Sequence, residues 1–217
     1  MISFSAVHDV LASFRLGQPV LIVDDEREKE GDVAVAAEYV TSAVVAFMAT
    51  FARGLVCVPM LGARLDELEI PLMVNRPVDS SSAAFTVSVD ARAGTTTGIS
   101  AHDRARTVQA LIDPRARPDD LVRPGHIFPL RYADGGVLRR PGHTEAAVDL
   151  ARLAGLYPAA VICEVMNDDG SMAGAPELAQ FSRRHGMAEI RLSEIVEYRR
   201  RTEAPPVLPG ILARPAG

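Results

Sequence analysis

The chain has no tryptophan, and aromatic residues make up only 5% of its 217 residues. Few aromatic side chains leave little material for stacking on bases, which argues against a single-stranded nucleic-acid binder. It also lacks a basic excess. The formal net charge is −5, so no broad electrostatic attraction to nucleic acid or to an anionic membrane is expected. No apolar run is long enough to cross a bilayer, and the N-terminus carries no basic-then-apolar signal pattern. There are only two cysteines, Cys57 and Cys163, and both fall inside apolar, strand-like runs. They read as buried thiols of a reducing compartment, not as a disulfide framework. These absences together describe a soluble cytoplasmic protein with neither a membrane nor a nucleic acid as partner.

What is present is a 48% hydrophobic chain of a length that suits one large domain. Apolar strand patterns alternate with amphipathic helix patterns. Ser5 opens a helix with Val7, Val10, Leu11 and Phe14 on one face, and Gly17 ends it. Strands are expected at 19–23, 33–37, 54–58 (closed by Pro59), 85–90 and 159–165, with a last one near Ile190. Thr41 and Ser100 cap two further helices, Pro176 starts another, and Gly186 stops it. Residues 71–84 and 113–125, broken by prolines and serines, read as a loop and as a linker-like excursion. The expected architecture is α+β: one domain, residues 1–203, with a mixed sheet between helices in three α/β/α layers. The Pro-rich segment 204–217 reads as a disordered tail.

The polar clusters fall at strand ends and helix starts. The densest is Asp24-Asp25-Glu26-Arg27-Glu28-Lys29-Glu30-Gly31-Asp32, directly after an apolar strand. Carboxylates crowded there repel one another unless a cation or a polyhydroxy ligand shares the site, although a solvated charged loop is the plain alternative. Arg27 and Lys29 inside the run suggest an anionic ligand close by. In Arg140-Pro141-Gly142-His143-Thr144, a glycine precedes a helix start. The free N–H groups of that start, the Arg140 fork and the Thr144 hydroxyl would cradle a phosphate, with His143 free to ligate a metal. A capped helix with a surface histidine reads equally well from the same residues. Glu164 interrupts an apolar run, so it is either partnered, functional, or the solvent-facing end of a strand. His126 is either a site residue or a loop histidine, His102 reads as surface, and His8 and His185 are assigned nothing.

In order along the chain, these segments strongly resemble one family. They are Asp-Asp-Glu-Arg-Glu-x-Glu-Gly-Asp, Gly-Leu-Val-Cys-Val, Phe-Thr-Val-Ser-Val-Asp-Ala, Thr-Thr-Gly-Ile-Ser-Ala-x-Asp-Arg, His-Ile-Phe-Pro-Leu-Arg, Arg-x-Gly-His-Thr-Glu-Ala and Ile-Cys-Glu-Val-Met-Asn-Asp-Asp-Gly. The family is 3,4-dihydroxy-2-butanone 4-phosphate synthase, which converts ribulose 5-phosphate into 3,4-dihydroxy-2-butanone 4-phosphate and formate in riboflavin biosynthesis. The resemblance implies a homodimer with active sites at the subunit interface and a divalent metal, Mg²⁺ or Mn²⁺, held by Glu28 and His143. It implies substrate contacts from Arg27, Glu28, Asp32, Arg140, Pro141, Gly142, His143, Thr144 and Glu164. It implies catalytic roles for Glu164, Asp32 and His126, the last reaching the site of a partner subunit. Thr96, Asp103 and Arg104 fall in a family motif. The first proton acceptor stays open among Asp25, Glu30, Asp32 and Glu164. Some relatives continue into a GTP cyclohydrolase domain after a segment like 198–203; a single activity is expected here. Against the family pattern the acidic run is one residue shorter, Lys29 is unusual, and residues 76–84 lack a Thr/His pattern.

Overall fold

The computed structural model describes residues 5–74 and 82–203. Helix α1 (Ser5–Arg15) buries Val7, Val10, Leu11 and Phe14, the face its 3.6-residue spacing predicts, and Gly17 turns the chain at φ +69°. The apolar runs become β1 (Val20–Val23), β2 (Gly31–Ala36), β3 (Cys57–Met60) and β6 (Ala160–Glu164). All four are buried on both faces except at Glu164, which explains their unbroken apolar patterns. Among the described residues they join β4 (Val89–Ala91), β5 (Leu121–Arg131) and β7 (Ala188–Arg191) in one seven-stranded mixed sheet, ordered β4-β5-β3-β6-β2-β1-β7.

The pleat divides the core in two. On one face Val20, Ile22, Ala34, Ala36, Cys57 and Ile162 meet α1, α5 (His143–Leu153) and α7 (Leu192–Glu203). On the other, Val33, Val35, Val58, Val161 and Cys163 meet α2 (Ser42–Phe47), α3 (Gly62–Glu67), α4 (Ala101–Ile112) and α6 (Ala175–His185). The three-layer α+β architecture follows from that alternation. Both cysteines are buried and unpaired, and burial pushes the Cys163 thiol up to about 12. Thr41 and Ser100 cap α2 and α4, accepting the N–H of Val44 and of Asp103.

Three sequence expectations need correction. Pro59 does not close its strand but lies within β3, aligned with Leu130. The β3–β6 ladder is reduced to Cys57↔Ile162 and a Met60↔Ala159 bridge, so the missing proline donor falls in a gap. Residues 121–125 are not excursion but the first half of β5, paired with β4 near the sheet edge, where alternate exposure hides strand character. Of the strand expected at 85–90 only Val89 and Asp90 join β4, while Phe85 and Thr86 form isolated bridges. Much of the 71–84 loop, residues 75–81, and the tail at 204–217 lie outside the described residues.

One buried network ties α5 to α7. Asp149 accepts from the Tyr132 hydroxyl at 2.8 Å, from Val137 N–H at 2.9 Å and from Arg199 at 2.6 Å. Replacing Asp149 by alanine takes the shared acceptor from the buried Tyr132 hydroxyl and Val137 N–H, while Arg199 keeps Glu203 and the Gly135 carbonyl. Asp149→Ala is expected to cost about 1–3 kcal/mol in chemical denaturation, the cost of buried polar groups left without their acceptor.

Candidate active site

The site forms where β1 ends, β2 begins and β6 ends. Asp24 is buried, and its carboxylate accepts three backbone N–H groups, those of Glu26 (3.0 Å), Arg27 (2.8 Å) and Glu28 (3.2 Å). Burial pushes its pKa up, and those three donors outweigh that push and hold it below its usual value. The loop is thereby folded back on itself, with Lys29 in the left-handed region at φ +58°. Asp24 N–H bonds Glu30 C=O at 2.9 Å, which returns the chain into β2. Nothing in the order of residues marks Asp24 as the organiser of the loop, because all the carboxylates of the run look alike.

In the antiparallel β2–β6 pair Asp32 stands directly opposite Glu164. Both share the face covered by α5, whose first residue is His143. His143 Nδ1 lies 3.8 Å from Glu28 Oε2 and 4.0 Å from Asp32 Oδ1. His143 is 9% exposed, and its Nε2 is buried without a hydrogen-bond partner. The Asp32 side chain is 4% exposed, whereas that of Glu28 is 53% exposed. Burial raises the Asp32 carboxyl to about 7; His143 opposes the shift, and Glu164, Glu28 and Glu30 add to it. Glu30 is also raised, by burial and then by Glu28. Asp24, Glu28, Glu30 and Asp32 therefore all bear on one imidazole.

Among the described residues no three His, Cys, Asp or Glu side chains form a ready-made metal cage. Glu28 and His143 nevertheless fit a shared hard ion: ligands at roughly 2.0–2.1 Å from one ion can lie up to ~4.2 Å apart. An ion of that kind commonly takes one or two protein ligands and leaves the other positions to water and ligand oxygens.

Glu164 is fixed from the other side. A π-helical turn, Met48–Ala52, leads into Arg53 at φ +73°. Arg53 is braced on Met166 C=O at 2.9 Å and on Asp168 at 2.6 Å. That turn delivers Gly54 N–H to Glu164 C=O at 3.1 Å and Leu55 N–H to Glu164 Oε2 at 2.8 Å. A Cβ on Gly54 would lie 2.4 Å from Glu164 Oε2, so only glycine admits this approach.

At the α5 N-terminus, Gly142 is the N-cap in extended backbone and Thr144 is buried, next to His143 in the first turn. The first-turn N–H groups and the helix dipole make this end suited to an anion. Arg140 pairs with the buried carboxylate of Glu145, which also accepts Ala133 N–H at 3.1 Å. Glu145 was not singled out in the sequence, although its place in the first helical turn is a signal.

The other expected residues lie around this cluster or further along the sheet. Arg27 and Pro141 line an adjoining cleft with Leu192, Ser193, Val196 and Arg200. Asp25 is turned away to Ser193, whose hydroxyl donates to it at 2.6 Å. His126 is on the same sheet face, two strands from Glu164, roughly 10 Å by strand spacing. His126 is held by Asp90, a residue the sequence reading did not single out. Thr96 donates to Asp103 at 2.8 Å in the turn before α4, and Arg104 Nε is buried without a hydrogen-bond partner. His102 is on the surface, as its position in the helix implied.

The Asp32 carboxyl has a direct consequence for stability. Its folded pKa of about 7 exceeds the ordinary 3.8, so between those values the native state keeps a proton that the unfolded chain releases. Metal-free protein should therefore lose stability as pH rises through that window. Urea titrations in EDTA are expected to show this fall, and Asp32→Asn should flatten it.

A profile of the family described as 3,4-dihydroxy-2-butanone 4-phosphate synthase matches residues 8–198. The riboflavin biosynthesis protein RibBA of Synechocystis is 58% identical over 199 residues, covering 90% of this chain but 36% of its own length. The 3,4-dihydroxy-2-butanone 4-phosphate synthase of Agrobacterium fabrum is 54% identical over 197 residues, 90% of this chain and 92% of that protein. Among solved structures, a 3,4-dihydroxy-2-butanone 4-phosphate synthase in complex with two magnesium ions superposes with a TM-score of 0.86 at 42% identity, over 92% of this chain and 99% of the other. The chain thus spans about a third of one relative and nearly all of others. On that breadth of agreement, the chain belongs to the 3,4-dihydroxy-2-butanone 4-phosphate synthase family.

Proposed function

We propose that this chain is a lyase of riboflavin biosynthesis that converts D-ribulose 5-phosphate into 3,4-dihydroxy-2-butanone 4-phosphate and formate. The observation that carries the reading is the meeting of Glu28, Asp32 and His143, from the acidic loop, β2 and α5, opposite Glu164. Family membership and the magnesium complex of a relative support a divalent ion, Mg²⁺ or Mn²⁺, on Glu28 and His143. Carboxylate oxygen with a single imidazole suits such hard ions better than zinc.

When bound, the ion supplies Lewis acidity to the sugar carbonyl. The protein's own groups do the rest. Arg140, steadied by Glu145, and the α5 N-terminus with Pro141, Gly142 and Thr144 receive the phosphate, and Arg27 approaches from the acidic loop. Asp32, buried and beside His143, takes the proton beside the carbonyl, giving the enediol. Asp25, bound to Ser193, is poorly placed for it. Glu164, with one oxygen fixed by Leu55 N–H, and His126 move the protons for loss of the hydroxyl, skeletal shift and formate release.

The reading includes a homodimer with the two sites at its interface. In support, Leu55 is an exposed apolar residue beside Glu164, and Ile99 and Val122 are exposed apolar residues beside His126 and its partner Asp90. A second subunit covering these patches would bring its own His126 towards the Glu28–His143 pair. We assign residues 1–203 to one catalytic domain of cytoplasmic location. Among the described residues no helix is long and apolar enough to cross a membrane.

Incubation of the protein with ribulose 5-phosphate and Mg²⁺ is expected to release one formate per sugar, and EDTA should abolish the release. Glu28→Ala and His143→Ala should each lower kcat by at least about 10²-fold, as expected when a positioned catalytic group is lost. Metal-independent turnover, or tight nucleotide binding without formate, would overturn the proposal.

A further inference from the structure

We infer that Ser193 is a positioning residue: it fastens the acidic loop to the start of α7 through Asp25, and so holds Glu28 where an ion shared with His143 needs it. The inference rests on the reading above that Glu28 and His143 hold the divalent ion. Sheet register brings Asp25 and Ser193 together. Strands β1 and β7 run parallel with Val23 aligned to Arg191, so each partner lies two residues past the same point. Asp25 Oδ2 accepts the Ser193 hydroxyl at 2.6 Å, and Oδ1 accepts the Ser193 backbone N–H at 3.3 Å. Ser193 is the second residue of α7, so its N–H has no partner within the helix. Glu194, the acidic residue of that first turn, is engaged by Arg191 N–H at 3.0 Å, which leaves Ser193 to the loop. Asp25 therefore caps α7 from outside, and the positive end of the helix favours its charge.

The loop then has two anchors with different tasks. Asp24 gathers the N–H groups of Glu26, Arg27 and Glu28 and sets the shape of the turn. Asp25 sets where that turn sits on the molecule. Glu28 depends on the second anchor because its side chain is 53% exposed and lies 3.8 Å from His143 Nδ1, beyond hydrogen-bond reach. The other half of the pair is referred to the same helix. Arg199, farther along α7, pairs with Asp149 of α5 at 2.6 Å, and His143 opens α5. Acidic loop, α7 and α5 thus close a ring in which Ser193 links the loop to the helix. Without that link Glu28 is free to stray from His143, and binding an ion has to restore the order at a cost in affinity.

Mn²⁺ binding to the metal-depleted full chain, read from the electron paramagnetic resonance signal of the free ion, tests the inference without recourse to turnover. Ser193→Ala removes the hydroxyl bond and keeps the N–H bond. It is expected to raise the Kd for Mn²⁺ about three- to tenfold, the range for one hydrogen bond to a charged acceptor that water partly reaches. Ser193→Thr, which restores a hydroxyl, should bind within about twofold of the wild type. In Glu28→Ala the loop no longer supplies a ligand, so adding Ser193→Ala there should change the Kd by less than about twofold, whereas a general loosening of the fold would add its full factor. A Ser193→Ala Kd less than about threefold above the wild type would overturn the inference. So would a threonine variant as weak as the alanine one, or an undiminished effect in the Glu28→Ala background. If Glu28→Ala binds too weakly to measure, the alanine and threonine variants decide between them. Glu28→Ala binding as tight as the wild type would instead remove the ion from the loop, and the metal assignment of the functional reading would fall together with the inference built on it.

Discussion

The site depends on the repulsion between carboxylates that the sheet brings together. Register alone sets Asp32 opposite Glu164, and the turned acidic loop adds Glu28 and Glu30. Asp32 is almost wholly removed from water, so its charge is poorly screened there. In the free protein the tension is relieved by Asp32 holding its proton towards neutral pH and by the single imidazole of His143. A divalent ion between Glu28 and His143 would relieve it more completely by adding positive charge among the carboxylates.

The surrounding fold holds these groups so that they cannot relax apart. Asp24 spends its carboxylate on three backbone N–H groups and so fixes the acidic loop without adding a free charge to the cluster. Glu145 does the same for Arg140, and the Arg53–Gly54–Leu55 turn does it for Glu164. Asp90 holds His126 at the neighbouring end of the sheet. In each case a carboxylate or a backbone N–H steadies the functional side chain. The Asp149–Arg199 network then anchors α5, which presents His143, against α7.

Much of this was legible in the residues. Periodicity marked α1 and its buried face, and Thr41, Ser100 and Gly186 marked helix ends by their capping chemistry. Glu164 stood out as a carboxylate in an apolar run, Glu28 and Asp32 as members of an acidic cluster at a strand end and His143 as a polar residue at a helix start, and the resemblance of the motifs supplied their grouping. What escaped was what depends on register or on loop geometry. Pro59 reads as a strand end because sequence does not reveal a gap in a ladder, and the first half of β5 reads as linker because its partner is an edge strand. Asp24, Asp90 and Glu145 act through contacts with residues 2 to 36 positions away, and a carboxylate's place in its own run says little about such partners. Arg27 and Pro141 line a cleft that adjoins the carboxylate cluster and includes Asp24 of the same loop.

The central claim is that one hard ion is shared by the acidic loop and the first residue of α5. Anomalous diffraction from crystals soaked in Mn²⁺ tests it most directly. A manganese peak bonded to both Glu28 and His143, close to Asp32, is the predicted result. A peak elsewhere, or Glu28 and His143 turned apart with no ion between them at saturating manganese, would contradict it.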